Sequence, residues 1–370
     1  MKAIAVTPQK RTLEIITQAE PQIFSPTDVK LRMLEAGVCG TDREICAFEY
    51  GTPPAGSEQL VIGHESLGEV IEVGPQVTRV KVGDLVVPMV RRPCPHHYCV
   101  ACRADRQDFC FTGDFQERGI KERHGFMAQF VVDDEKYMNA VPREMRDVAV
   151  LVEPLTIAEK GLTQVWQVQA RLPWSCPVTS GKAAAHCHRA VVLGAGPVGL
   201  LGAMALVNYD FETYVYSREP APNPKSQLLE SIGAHYISSE NIAPKMLPEH
   251  TGNVDLIYEA TGASSLAFEM MKYLGTNGIF IFTGVPGRKG PIQVDTDLIM
   301  RNLVLKNQVV FGTVNAGREA FENSIRDLAT FTTRWPEAVK SLISGRFPMD
   351  AYGDLLLGRS RGIKNVIRLN

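Results

Sequence analysis

The run Gly194-Ala195-Gly196-Pro197-Val198-Gly199 constrains what this chain can fold into more than any other feature. It follows a short apolar stretch, Ala190-Val191-Val192-Leu193, and opens a longer apolar one of helical length, Val198 to Val207. G-x-G-x-x-G between a strand and a helix is the arrangement that seats a dinucleotide. The first glycine permits a tight turn, the second lets backbone approach a pyrophosphate, and the third lets helix and strand pack closely. The helix start at Pro197 and Val198 then offers unpaired N–H groups and a partial positive charge to the phosphates. A glycine-rich turn with no ligand is the plainer alternative, and the flanking strand and helix favour the ligand. Gly194, Gly196, Pro197, Val198 and Gly199 are therefore candidate cofactor-binding residues.

The texture beyond this run supports the same fold. Strand-like Thr213–Tyr216, Asp255–Tyr258 and Gly278–Phe282 alternate with helical stretches over 225–232 and near 266–274. Alternating β and α predicts a doubly wound parallel sheet. The end of the second strand should choose the cofactor: an acid there accepts from a ribose 2′-hydroxyl, whereas Arg accommodates a 2′-phosphate. Ser217-Arg218 stands at that place, with Glu219 beside it. A hydroxyl plus a guanidinium predicts NADP in preference to NAD, with both tolerated.

A chain of 370 residues exceeds one comfortable core and predicts two domains. The first 150 residues read differently from the middle, as strands such as Val29–Leu34 and Glu69–Gly74 broken by Gly and Pro. A net charge of -2 provides no basic field for nucleic acid. No stretch approaches 18 apolar residues, and the first residues run straight into strand-like alternation without a signal-peptide pattern. The expectation is a cytoplasmic protein without nucleic-acid or membrane partners. A helix over 156–169, a loop over 172–188, a long helix over 320–331 and a last strand over 365–369 complete the reading.

Two groups of residues carry metal chemistry. Cys94, Cys99, Cys102 and Cys110 are spaced C-x4-C-x2-C-x7-C. In a reducing compartment such clustering reads as metal ligation, and four thiolates close a tetrahedral zinc shell with no position for substrate. His96 and His97 are expected to face solvent. The second group is scattered: Cys39-Gly40-Thr41-Asp42 at the end of a strand, Gly63-His64-Glu65, and Glu153 where the texture changes. Cys, His and carboxylate suit a catalytic zinc that keeps one position open, and Asp42 suits the second nitrogen of His64. Each residue alone has a bland explanation, and spacing alone does not join them.

Together these residues resemble the zinc-containing medium-chain dehydrogenases. Gly63-His64-Glu65-x-x-Gly68, Gly74 and Val77 look like that family's zinc signature, and the cysteine quartet is similar apart from a longer first gap. Arg91-Arg92-Pro93, Arg106 to Cys110, Gly113 to Ile120, His124 to Met127 and Gly312-Thr313-Val314-Asn315 are similar to the glucose dehydrogenase branch. The resemblance implies a GroES-like β-barrel catalytic domain over 1–154, a Rossmann domain over 155–310 and a C-terminal return to the first over 311–370. It implies a catalytic zinc on Cys39, His64 and either Glu65 or Glu153, these acids sharing or exchanging the role. Thr41 would lie beside the reacting hydroxyl and pass its proton outward, Glu117 would bond sugar hydroxyls, and Asn315 would lie near the nicotinamide. Glu153 also faces the substrate in this reading. A homodimer or homotetramer is implied too.

The expected reaction is oxidation of an aldose, glucose first, to a lactone, with hydride passed to NADP or NAD. A polyol dehydrogenase would differ only in its pocket, and an aliphatic alcohol dehydrogenase would lack the polar Gly113–Gly119 loop. A non-catalytic zinc- and nucleotide-binding protein would have lost Cys39, His64 or Glu153, all of which are present. No basic recognition helix accompanies the cysteine loop to suit DNA.

Overall fold

The structure is a computed structural model that describes residues 1–176, 185–287, 290–358 and 362–370. Part of the loop expected over 172–188 lies outside the described residues. The chain divides into two compact units, one of Met1–Thr156, Asn315–Thr332 and Val339–Asn370, the other of Ile157–Val314 and Thr333–Ala338.

The first unit is β-rich. Its largest sheet runs through strands Met138–Val141, Leu85–Pro88, Glu65–Val73, Asp28–Gly37, Lys364–Arg368 and Ile343–Phe347, with Phe130–Asp134 also pairing Asp28–Gly37. The long strand Asp28–Gly37 is buried along nearly its whole length, on both faces. Register shifts beside Leu31 and Glu35 bend it against Glu65–Val73. Ile4, Val29, Leu31, Met33, Val70, Val86 and Phe126 fill the interior. The last strand pairs antiparallel with Asp28–Gly37, Val366 opposite Gly37, so residues from the two ends of the sequence share one sheet.

One local expectation is corrected here. Cys39 does not end a strand: the strand stops at Gly37, and Cys39 caps a helix, Gly40–Cys46. The Cys39 N–H donates to Asp42 Oδ2 at 2.9 Å, which satisfies one of the donors a helix start leaves open. The long strand is therefore followed directly by a fixed turn of helix.

The second unit is a six-stranded parallel sheet in the order His235–Ser238, Glu212–Ser217, Arg189–Leu193, Leu256–Glu259, Ile279–Phe282, Val309–Gly312. Every adjacent pair is parallel. Numbered along the chain, that order is 3-2-1-4-5-6, the doubly wound dinucleotide-binding topology. Its strands carry Val191, Leu193, Ile257 and Phe280 in the core, and the helix Pro197–Asn208 is buried from Gly199 to Val207. The fold class is thus a β-rich domain with a Rossmann domain, in keeping with the resemblance. No helix among the described residues is long and apolar enough to cross a membrane.

Candidate active site

Ligand atoms of Cys39, His64 and Glu65 lie within 4.8 Å of one another. Three short pieces of backbone bring them together. Cys39 is fixed as the cap of Gly40–Cys46, His64 precedes the strand Glu65–Val73, and Gly37 pairs with Glu65 in the sheet. A Cβ on Gly37 would sit 2.3 Å from Glu65 Oε2, so the glycine leaves room for the carboxylate. Gly63 takes φ +92, and a Cβ there would lie 2.5 Å from the Met127 side chain. Only glycine turns the chain into His64 without strain.

Charge is concentrated here and buried. Asp42 is 0 % exposed, and its Oδ1 lies 3.2 Å from His64 Nδ1. Burial works against a charged imidazole, yet the Asp42 carboxylate and the Cys39 sulfur hold His64 well above its usual range. Lys364, 2 % exposed, reaches Glu65 with Nζ 2.8 Å from Oε1 and 2.6 Å from Oε2. Glu153, in the first turn of helix Val152–Gln169, is also buried. Burial pushes its carboxyl up to about 7, with His64 pulling down and Glu65 pushing up. Glu153 stands outside the close trio but within its field. Thr41 lies in the first turn of the Cys39-capped helix and is partly exposed.

Thiol, imidazole and carboxylate within ligand distance, with Asp42 behind the imidazole, are the donor set of a zinc centre with an open position. The residues present fit a catalytic zinc. Sequence reasoning missed Lys364. It is a lysine on a short strand otherwise reading Asn365-Val366-Ile367, and nothing local links it to Glu65.

A second set of side chains surrounds Glu117, which is 5 % exposed. Arg91 donates to Glu117 Oε1 from Nε at 3.0 Å and Nη2 at 2.9 Å. Asn315 Nδ2 donates to the same oxygen at 2.8 Å. Arg91 itself lies over the Phe115 ring, 3.8 Å from its centroid. Asn315 has φ +57, a conformation asparagine tolerates better than most residues. Arg91 and Asn315 thus both donate to one oxygen of Glu117, Oε1.

The cysteine quartet closes as expected: Cys94, Cys99, Cys102 and Cys110 lie within 4.8 Å of one another. The four-residue first gap does not keep Cys94 out. Against the cost of burial, hydrogen bonds from Thr112 and Gly113 bring Cys110 down to about 6, toward the thiolate a metal needs. His96 is engaged by Asp114, Nε2 to Oδ2 2.5 Å, and takes no part in the quartet. The residues fit a closed structural zinc.

In the Rossmann unit, Gly194 takes φ +104, and a Cβ there would meet Thr261 Cγ2 at 2.6 Å. Gly196 caps the helix Pro197–Asn208, and a Cβ on it would find nothing within 4 Å. A Cβ on Gly199 would fall 2.1 Å from the Gly194 carbonyl, so the third glycine is demanded by helix–strand packing. Ser217 ends strand Glu212–Ser217, and Arg218 beyond it is exposed. The neighbouring acid is occupied: Glu219 Oε1 accepts from Lys225 Nζ at 3.0 Å. Glu259, buried at the end of Leu256–Glu259, accepts from the N–H groups of Thr261, Gly262 and Gly284. It ties together loops at the carboxyl edge of the sheet, and no sequence signal marked it.

Comparison with known proteins agrees with this geometry. Residues 25–143 match the alcohol dehydrogenase GroES-like domain and residues 146–369 the glucose dehydrogenase C-terminus. The chain is 38% identical over 370 residues to glucose 1-dehydrogenase of Methanocella arvoryzae, covering 100% of this chain and 99% of that protein. It is 36% identical over 371 residues to glucose 1-dehydrogenase of Thermoproteus tenax, covering 100% and 99%. The solved structure of Haloferax mediterranei glucose dehydrogenase in complex with NADP, Zn and gluconolactone superposes with a TM-score of 0.88 at 31% identity, covering 100% and 99%. The chain belongs to the zinc-containing medium-chain dehydrogenase family, in its glucose dehydrogenase branch.

Proposed function

We propose that this chain is a zinc-dependent sugar dehydrogenase that oxidises the C1 hydroxyl of an aldose, glucose foremost, to a lactone and passes the hydride to NADP in preference to NAD. The observation that carries the reading is the convergence of Cys39, His64 and Glu65 on one point, in a chain similar over its full length to glucose 1-dehydrogenases. When bound there, zinc supplies a Lewis acid that brings a hydroxyl proton within reach of neutral pH; for water the fall is from about 15.7 to about 7.

The protein's own groups supply the rest. Asp42 fixes the His64 ring and its tautomer. Lys364 holds Glu65 through both oxygens, and Glu65 or Glu153 would serve as the third ligand to the zinc. Thr41 Oγ1 accepts the substrate proton and passes it outward. Glu117, clamped on Oε1 by Arg91 and Asn315, turns its other oxygen to a sugar hydroxyl. Asn315, which also holds Glu117, is the residue that would lie near the nicotinamide. Gly194, Gly196, Pro197, Val198 and Gly199 would receive the pyrophosphate, and Ser217 with Arg218 the 2′-phosphate.

The catalytic domain in this proposal comprises 1–154 with the return 311–370, and the Rossmann domain 155–310. The protein works in the cytoplasm as a homodimer or homotetramer. The sheet edge at Val309–Gly312 and the exposed Met300, Val304 and Leu305 favour self-association. The test is turnover of glucose with NADP⁺ before and after chelation, with zinc restored afterwards. Loss on chelation and recovery with zinc is expected; turnover indifferent to chelation would overturn the mechanism, and turnover on sorbitol alone would overturn the role of Glu117.

A further inference from the structure

Three cysteines belong to neither zinc site: Cys46, a buried free thiol, and a pair in the second unit. Cys176 and Cys187 are joined by a disulfide. His188 follows directly, and one of its ring nitrogens and the two sulfurs lie within 4.8 Å of one another. The three residues have the surroundings of a ligand set. The Trp174 ring stacks on His188 at 4.2 Å between centroids, and Phe211 packs 6.1 Å away. His188 Nε2 bonds the Trp174 carbonyl, and Nδ1 lies 3.6 Å from Asp255 Oδ1. Asp255 is itself held, by the Arg189 N–H at 2.9 Å and Asn253 Nδ2 at 2.8 Å. Whichever nitrogen takes a metal, the other keeps an acceptor for its N–H, which is how ligating histidines are oriented. The Cys187 N–H lies 3.0 Å from Cys176 Sγ, a bond that also favours a thiolate there. Cys176 is buried while Cys187 is exposed, so a reductant and an ion can both reach the pair.

We propose that reduction of the Cys176–Cys187 disulfide converts this corner into a third metal site, in which two thiolates and the His188 imidazole hold a soft divalent cation, zinc. The inference rests on the cytoplasmic reading, because a reducing compartment is what keeps such a pair open. A cellular dithiol reduces the S–S bond to two thiols and is itself oxidised to a disulfide. Binding of the cation then displaces the thiol protons, and any proton on the ligating nitrogen, to solvent. Soft thiolates select zinc over hard cations such as magnesium. Three protein donors leave the fourth position to water, so the site is more readily stripped than the cysteine quartet.

The experiment is metal analysis of the zinc-replete protein in two states: oxidised, and reduced anaerobically with a phosphine, incubated with zinc and desalted. The reduced wild type should carry one zinc more per chain than the oxidised wild type, and reduced Cys187→Ser should carry no extra zinc. With Co²⁺ in place of zinc, the reduced wild type should gain thiolate-to-metal absorption beyond that of Cys187→Ser. Reduced His188→Asn should bind the added ion at least tenfold more weakly. Equal metal content in the oxidised and reduced wild type overturns the proposal, as does the same gain in reduced Cys187→Ser. Glucose turnover by Cys187→Ser reports that the variant is folded. Loss of turnover on glucose with the extra zinc intact would count against the proposed activity alone, and alkylation trapping of the pair in intact cells tests the compartment separately.

Discussion

Lys364 and Glu65 form an ion pair with both side chains 2 % exposed, 299 positions apart in sequence. Breaking a buried pair from one side leaves a charge without compensation, at a cost of about 3–5 kcal/mol. Lys364→Met should therefore lower unfolding free energy by about that amount, and the double variant with Glu65→Gln should lose less than the sum of the single changes. Additive losses in denaturant titrations would contradict the coupling. Glu153 makes a pH prediction. Its folded carboxyl sits at about 7, raised from 4.5 chiefly by burial. The metal-free folded chain thus retains a proton that the unfolded chain releases. That contribution to stability is complete below 4.5 and lost as pH rises through about 7. Metal-free wild type should lose stability across this window relative to Glu153→Gln; parallel profiles would contradict the assignment. Glu117→Ala should raise KM for glucose about tenfold or more, the effect of losing a charged hydrogen-bonding group worth about 1.5–3 kcal/mol, while KM for NADP⁺ barely moves. A KM rise for both would point to a structural role.

At the scale of elements, the dinucleotide turn joins Arg189–Leu193 to Pro197–Asn208. Arg218 at the next strand end should set cofactor choice. Arg218→Ala should lower kcat/KM for NADP⁺ by roughly tenfold to a hundredfold, from about 1.5–3 kcal/mol for a charged hydrogen bond, and leave NAD⁺ almost unchanged. An equal fall for both cofactors would contradict the 2′-phosphate role. This turn was legible in the sequence because its determinants are contiguous: seven residues, Leu193 to Gly199, carry the strand end, the glycines and the helix start. The cysteine quartet was legible for the same reason. The catalytic trio was not, since Cys39, His64 and Glu65 meet only through sheet pairing, and resemblance rather than spacing joined them. Helix Gly40–Cys46 escaped notice because seven residues are too few for helical periodicity, and Gly40-Thr41-Asp42 reads as a turn. Strand Ile343–Phe347 and helix Pro336–Leu342 near the end were likewise too short to stand out. Lys364 and Glu259 act through partners distant in sequence or through backbone N–H groups, neither of which leaves a pattern in the chain.

At the scale of the whole molecule, a β domain gathers metal-ligating side chains and a Rossmann domain carries the dinucleotide turn. Two zinc ions with different coordination should behave differently. Brief chelation should remove the ion of the open site and abolish turnover while the quartet's ion stays, because four thiolates close its shell. The measurement that tests the central claim most directly is turnover of glucose carrying deuterium at C1 by the zinc-replete protein with NADP⁺. The account predicts that deuterium appears in the reduced nicotinamide and that a lactone forms in equal amount. Reduced cofactor without deuterium, or no turnover of any aldose by the fully metallated protein, would contradict it.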